Sequence, residues 1–240
     1  MRTIRKGSEP RELINWKHDN AATPQNLIYG GGEFPGEAVR KSLLLEQFHL
    51  CAYTLKLLRT AAECEAQRLD TRHSCHIEHW LPQSRKIAAE TIDYQNMLAC
   101  YPPSDSTEAC GYGAYAKANY DPSVNQFVSP LAPNAEQHFK FSGNGKIEGL
   151  TDKGRETVKV LQLNHSSLVH DRKAVIKGYL EPKTGRAITA KAARRLSVEI
   201  SQPDQQNRLR PFCVAIAEVA HEHAAREERR ANRMNQRSAT

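Results

Sequence analysis

The run Cys75-His76-Ile77-Glu78-His79-Trp80-Leu81-Pro82 sets a carboxylate beside an imidazole, with a second imidazole at His76. Two further polar stretches follow. One is Asp93-Tyr94-Gln95-Asn96-Met97-Leu98-Ala99-Cys100, and the other runs from Cys110 to Asp121 and carries Lys117 and Asn119. These residue types suit hydrolysis by water activated beside a divalent cation. A neutral imidazole, with a pKa of about 6.5, takes a proton from water at physiological pH, and that role is assigned to His79. An adjacent carboxylate binds one hard ion, Mg²⁺ or Mn²⁺, through oxygen, and that role is assigned to Glu78. A second oxygen ligand from the third stretch would complete the protein's share of the shell.

Short elements must hold such a set. Residues 1–36, with Pro10, Pro24, Pro35 and the Gly30-Gly31-Gly32 run, read as an extended arm with one short helix. Val39, Leu43, Phe48 and Leu55 recur at three and four spacing, which predicts one or two buried helices over 37–58, broken near Cys51. Between 70 and 125, Pro82, Pro102, Pro103 and Pro122 predict short strands and loops. Helices are predicted over 152–163 and 165–180, with Asn164 as the N-cap between them, and again from 210 or 211 through His223 into a frayed Arg/Glu-rich tail. The fold class expected is α+β, mostly α, in three parts: scaffold at 1–69, chemistry at 70–125, and a helical region at 126–240.

Several classes are excluded by pattern. No His-Glu-x-x-His occurs, and His-x-x-Glu-His fails because Cys stands at position 75. The triple glycine is not followed by Gly-Lys-Ser/Thr, so there is no phosphate loop of the ATPase kind. Apolar runs such as Leu43-Leu44-Leu45 are far shorter than the roughly 18 to 20 residues of a membrane span. With no export signal at the first residues, a cytoplasmic protein without a membrane partner is expected. The formal charge of +7 favours an anionic partner. Between 183 and 210 stand seven Lys/Arg, among them Lys183, Arg186, Lys191, Arg194 and Arg195, against two acids, which makes that stretch the candidate phosphate-contacting face.

An acid-His pair, an Asn 17 residues after the His, and a polar third element together resemble the HNH, or ββα-metal, nuclease finger. The resemblance implies phosphodiester hydrolysis, with Asn96 pinning the loop and orienting the His79 ring. Aligning the finger's last element on Lys117 makes Asn119 the third metal ligand, with Asp121 next. His76 is either a further metal or phosphate contact or a partly buried strand residue. Lys117, or the basic stretch, would grip the phosphate backbone. Such fingers often carry four zinc-binding Cys. Cys51, Cys100 and Cys110 sit where three could be, but Thr54 takes the second place of the Cys51-Ala-Tyr-Thr54 knuckle, so buried thiols are expected ahead of a structural Zn²⁺.

The likeness extends further. Val39-Arg-Lys-Ser-Leu-Leu-Leu-Glu-Gln47, Leu50-Cys-Ala-Tyr-Thr54, His76-Ile-Glu-His79 with Leu81-Pro82-Gln83, Asp93 to Pro102 and Phe127-Val-Ser-Pro-Leu131 resemble the PtuB family of HNH subunits from Septu and retron-associated anti-phage systems. That resemblance implies a metal-dependent endonuclease acting on DNA or RNA beside a PtuA-like ATPase. In retron systems it implies a reverse transcriptase and its msDNA as well. The alternative is a non-catalytic nucleic-acid-binding adaptor in the same kind of complex.

Overall fold

The computed structural model describes residues 1–103, 110–182 and 185–238, and its class is α+β, mostly α. Helix α1 (Arg11–Asp19) starts after Pro10 and buries Leu13 and Trp16. Helix α2 (Gly36–Glu46) buries Val39, Leu43 and Leu44 on one face. It ends earlier than the predicted break near Cys51, in a Schellman motif that has no glycine. Phe48 turns left-handed at φ 52°, its N–H reaching the Leu45 carbonyl at 3.2 Å, while His49 N–H reaches Leu44 at 2.8 Å. From there to Leu58 the chain is loop, so 37–58 holds one helix. Thr60 and Glu63 form a capping box on the short α3 (Ala61–Ala66).

The middle of the chain carries two antiparallel strands, β1 (His76–His79) and β2 (Met97–Cys100), with His76 opposite Cys100 and His79 opposite Met97. Single turns of helix, α4 (Ala88–Thr91) and α5 (Ala114–Lys117), sit in the connecting loop and after β2. The region 126–240, predicted as helical, contains a second hairpin, β3 (Phe139–Phe141) with β4 (Ile147–Gly149). Its alternation is legible afterwards, with Phe139, Phe141 and Ile147 inward and Lys140 and Glu148 outward. Gly145 closes the turn at φ 86°, where a Cβ would stand 2.3 Å from the Val169 carbonyl oxygen.

Four helices complete the fold: α6 (Asp152–Val160), α7 (Ser166–Leu180), α8 (Ala190–Glu199) and α9 (Cys213–Ser238). Two expectations are corrected here. Asn164 does not cap α7; its amide pairs with both backbone groups of Ile147, at 2.9 and 2.8 Å, and so docks β4. The Arg/Glu-rich tail is the second half of a continuous 26-residue helix. One hydrophobic cluster draws on Met1 and Ile4 of the arm, Leu43 of α2, Ile77 and Leu98 of the strands, Phe139 of the hairpin, Ile176 of α7 and Ile216 of α9.

Gln47, 3% exposed at the C-cap of α2, fixes the strand pair to the scaffold. Its amide donates to the carbonyls of Leu50 and Ala99 and accepts from Ala99 N–H, each at 2.8 Å, and so takes the place of a third strand along β2. Gln47→Ala strands the Ala99 N–H in the interior. A buried donor without a partner costs about 1 to 3 kcal/mol, so with the lost bonds the variant should lose about 2 to 4 kcal/mol, read as a lowered urea midpoint at unchanged slope. An unchanged midpoint would refute this role.

Candidate active site

His79 ends β1 with 4% of its surface exposed. Its Nε2 lies 2.9 Å from the Thr91 carbonyl. A carbonyl only accepts, so Nε2 carries the ring proton. Nδ1 therefore holds the lone pair and accepts from the Gln83 side-chain amide at 3.1 Å. Tyr29 packs edge-on against the ring at 4.7 Å, and its own backbone N–H is tied to Thr91 Oγ1 at 3.2 Å. Burial pushes the His79 pKa below the ordinary imidazole value, opposed in part by the Thr91 bond. The ring is held neutral with a basic nitrogen aimed at the exposed Gln83 side chain.

Asn96 brings the Thr91 carbonyl to that position. Its amide donates to the carbonyls of Leu81 at 3.1 Å and Glu90 at 2.9 Å, and its oxygen accepts from Leu81 N–H at 2.6 Å. Both ends of the long β1–β2 loop are thus knotted to one buried amide. Arg85 holds the loop from outside, donating to Glu90 at 2.8 and 3.1 Å and to Asp121 at 2.7 Å.

Glu78 is buried, and its carboxylate meets three groups. Lys117 Nζ stands 2.8 Å from Oε1, His76 Nε2 stands 3.6 Å from Oε2, and the Tyr53 hydroxyl is 3.4 Å from Oε1. Burial raises the Glu78 pKa, but His76 and Lys117 outweigh it and hold the carboxyl below the usual carboxylate range. His76 and Glu78 alternate along β1 and share a face. Glu78 and His79, as neighbours on a strand, form no hydrogen bond with each other. The link between them is Lys117, which also donates to the His79 carbonyl at 2.9 Å.

The remaining expected site residues fall as follows. Lys117 belongs to the site, but its side chain is 1% exposed and committed to Glu78, so it does not grip a phosphate backbone. Asp121 is held by Arg85 and by Ser123, whose N–H and hydroxyl reach it at 2.8 and 2.6 Å. Asn119 is exposed beyond the left-handed Ala118, at φ 44°, and makes no hydrogen bond with Glu78. Among the described residues neither bonds to Glu78, whose Oε1 is taken by Lys117. Among the described residues, no group of three or more His, Cys, Asp or Glu stands together as a metal cluster.

All six cysteines are buried and none forms a disulfide. The Cys100 thiol donates a hydrogen bond to Cys51 sulfur. Burial raises the Cys51 thiol, while donors from Cys100, Thr54 and Tyr101 bring its pKa down to about 6. Thr54 thus fills the knuckle's second place as a hydrogen-bond donor to sulfur. Cys110 turns away to the Tyr112 carbonyl at 3.4 Å.

In the basic stretch, Lys183 lies outside the described residues. Arg186 and Lys191 are exposed. Arg194 is bound to Glu228 at 2.6 and 3.0 Å, and Arg195 to Glu199 at 2.5 Å, so the density of cations in sequence overstates the free charge there. Sequence reasoning gave no role to Tyr29, Tyr53 or Thr91. Only the fold places them, since each acts from another element or through a backbone atom.

Among the described residues no helix is long and apolar enough to cross a membrane. Compared with known proteins, the chain matches no family model and no curated protein.

The buried neutral His79 sets a sign for pH dependence. Its folded pKa is lowered, so between that value and the unfolded value of about 6.5 the unfolded chain binds more protons. Stability is therefore full above that window and falls as the pH drops through it. His49, also lowered by burial, adds in the same sense. Urea midpoints measured across this window should decline toward acid, and His79→Gln should flatten the decline. An equally steep profile in the variant would refute the burial of a neutral ring.

Proposed function

We propose that this chain is an HNH-type endonuclease subunit of the PtuB kind, hydrolysing phosphodiester bonds with a divalent ion. In this reading it acts in the cytoplasm with a PtuA-like ATPase, and in a retron setting with a reverse transcriptase and its msDNA. The observation that carries the reading is the state of His79. Its Nε2–H is spent on Thr91, its Nδ1 keeps the lone pair and accepts from the exposed Gln83 amide, and the loop that delivers Thr91 is tied by Asn96 at the HNH position. Two antiparallel strands followed by a helical turn at Lys117 agree with a ββα finger.

In the proposed reaction Gln83, exposed, swings off Nδ1 and water takes its place. The water oxygen attacks phosphorus, its proton passes to Nδ1, and the opposite P–O bond breaks. The leaving oxygen takes a proton from solvent, and His79 returns its own to the solvent afterwards. Asn96 and Tyr29 hold the ring through these steps.

Glu78 Oε2 and His76 Nε2, 3.6 Å apart on one face of β1, are the donors that would hold the ion. Their separation suits two neighbouring ligands of one cation. When bound, such an ion would supply positive charge beside the leaving oxygen. Lys117 already neutralises Glu78, so the protein offers a site of little net charge, and the substrate phosphate would contribute the missing anion. An imidazole in the set suits Mn²⁺ better than Mg²⁺.

A second reading, the nucleic-acid-binding adaptor, is favoured by the burial of His79 beneath Gln83. Cleavage of plasmid, single-stranded DNA and tRNA by the chain purified with its ATPase partner separates the two. With Mn²⁺, cleavage should be abolished by chelator and lowered by about 10² to 10⁴ in His79→Ala. A folded His79→Ala protein that cuts at full rate would refute the assignment of the base. Nucleic-acid binding without cleavage in either form would favour the adaptor.

A further inference from the structure

A groove of about 890 Å³ runs between α7 and α9, with Ile176, Leu180 and Val219 in its lining. Its walls are cationic. Lys173 and Lys177 stand one turn apart on α7, and Arg226 and Arg229 on α9. A second concavity continues it along α9 through Arg230 and Arg233. Lys173, Arg229, Arg230 and Arg233 are exposed and form no ion pair among the described residues. The acids nearby are weakly placed or engaged elsewhere. Glu181 is 3.9 Å from Lys177, Glu227 is 3.9 Å from Arg226, Glu222 pairs with Lys140, and Glu228 with Arg194. Arg226 is further oriented by His223, whose Nδ1 accepts its Nη2 at 3.0 Å while Nε2 donates to the Ile188 carbonyl at 2.8 Å.

We propose that this groove binds the phosphate backbone of a polynucleotide. Four cations, Lys173, Lys177, Arg226 and Arg229, stand against the two acids of the lining, Glu181 and Glu222, and this excess of positive charge over an apolar floor focuses the field into the groove. Guanidinium forks bind phosphate oxygens in pairs. From Arg226 to Arg233 the helix rises about 10 Å, and a duplex strand presents a phosphate about every 3.4 Å along its axis, so one wall spans about three phosphates. The preference for a polynucleotide over an acidic protein rests on the nuclease reading above, whereas the groove's anion affinity does not.

The test is fluorescence anisotropy of labelled duplex DNA, single-stranded DNA and RNA across a salt series, with wild type, Arg229→Glu/Arg233→Glu, Lys173→Glu/Lys177→Glu and His79→Ala. Both charge reversals lie on exposed positions, and circular dichroism confirms their folding. Each should weaken binding by about tenfold or more and reduce the duplex salt slope by about 1.8, two phosphate contacts' worth. Wild-type affinity and slope in both charge reversals would overturn the proposal. So would tighter binding of polyglutamate than of any nucleic acid, lost in the same variants. Failure of the nuclease reading is separate: it shows as unimpaired cleavage by His79→Ala, with the groove variants still losing binding.

Discussion

An ionised carboxylate buried in a protein must be matched by a cation and hydrogen bonds, because either charge alone is costly there. Glu78 imposes that requirement, and Lys117 meets it from a helical turn far along the chain, at a separation of 38 residues from the His79 carbonyl it also binds. A buried pair of this sort adds little net stability compared with apolar residues of the same shape. Its effect is on specificity, since any packing of α5 that leaves Lys117 elsewhere strands two charges. The pair therefore positions the third element against β1 and joins the two candidate site side chains that the strand's alternation keeps apart.

The same pair sets the electrostatics of the face that Glu78 shares with His76. A carboxylate already neutralised by an ammonium attracts a dication weakly, so an ion at His76 and Glu78 would need the anionic charge of a bound phosphate. In the proposed nuclease this couples ion and substrate: neither completes the site alone. Burial of His79 acts in the same direction, because its basic nitrogen is covered by Gln83 until something displaces that amide. In the proposed nuclease, both features would keep the site quiet until substrate arrives.

Much of the site was legible in sequence because its chemistry is local. Glu78, His79 and His76 share one strand, and Asn96 stands directly before the partner strand, so their spacing along the chain brings them together. What spacing could not give was partnership. Lys117 was read as a phosphate contact and Asp121 as a metal ligand, yet each is claimed by a residue outside its own segment, Glu78 and Arg85. In the fold, α2 stops at Gln47 without the glycine that usually marks such a stop, because Phe48 is held left-handed by the Schellman bonds. The β3–β4 hairpin was missed because three-residue strands carry too little alternation to be seen against helical flanks.

Charge shows the same division between what is local and what is not. Counting along the chain favoured 183–210, where cations outnumber acids. The fold reassigns that excess: Arg194 crosses to Glu228 on α9, Arg208 to Glu63 on α3, and Arg195 to its own helix neighbour Glu199. The tail, with its mixed Arg and Glu, was expected to fray. As a continuous helix it sorts them instead, sending Glu228 toward α8 and turning Arg226 and Arg229 toward α7, where Lys173 and Lys177 have the same sign. Placing like charges face to face is unfavourable unless an anion lies between them. By pairing Glu222 with Lys140 and Glu228 with Arg194, the fold leaves an excess of positive charge along this groove, and the proposed polyanion site rests on that excess, which no linear count of residues reveals.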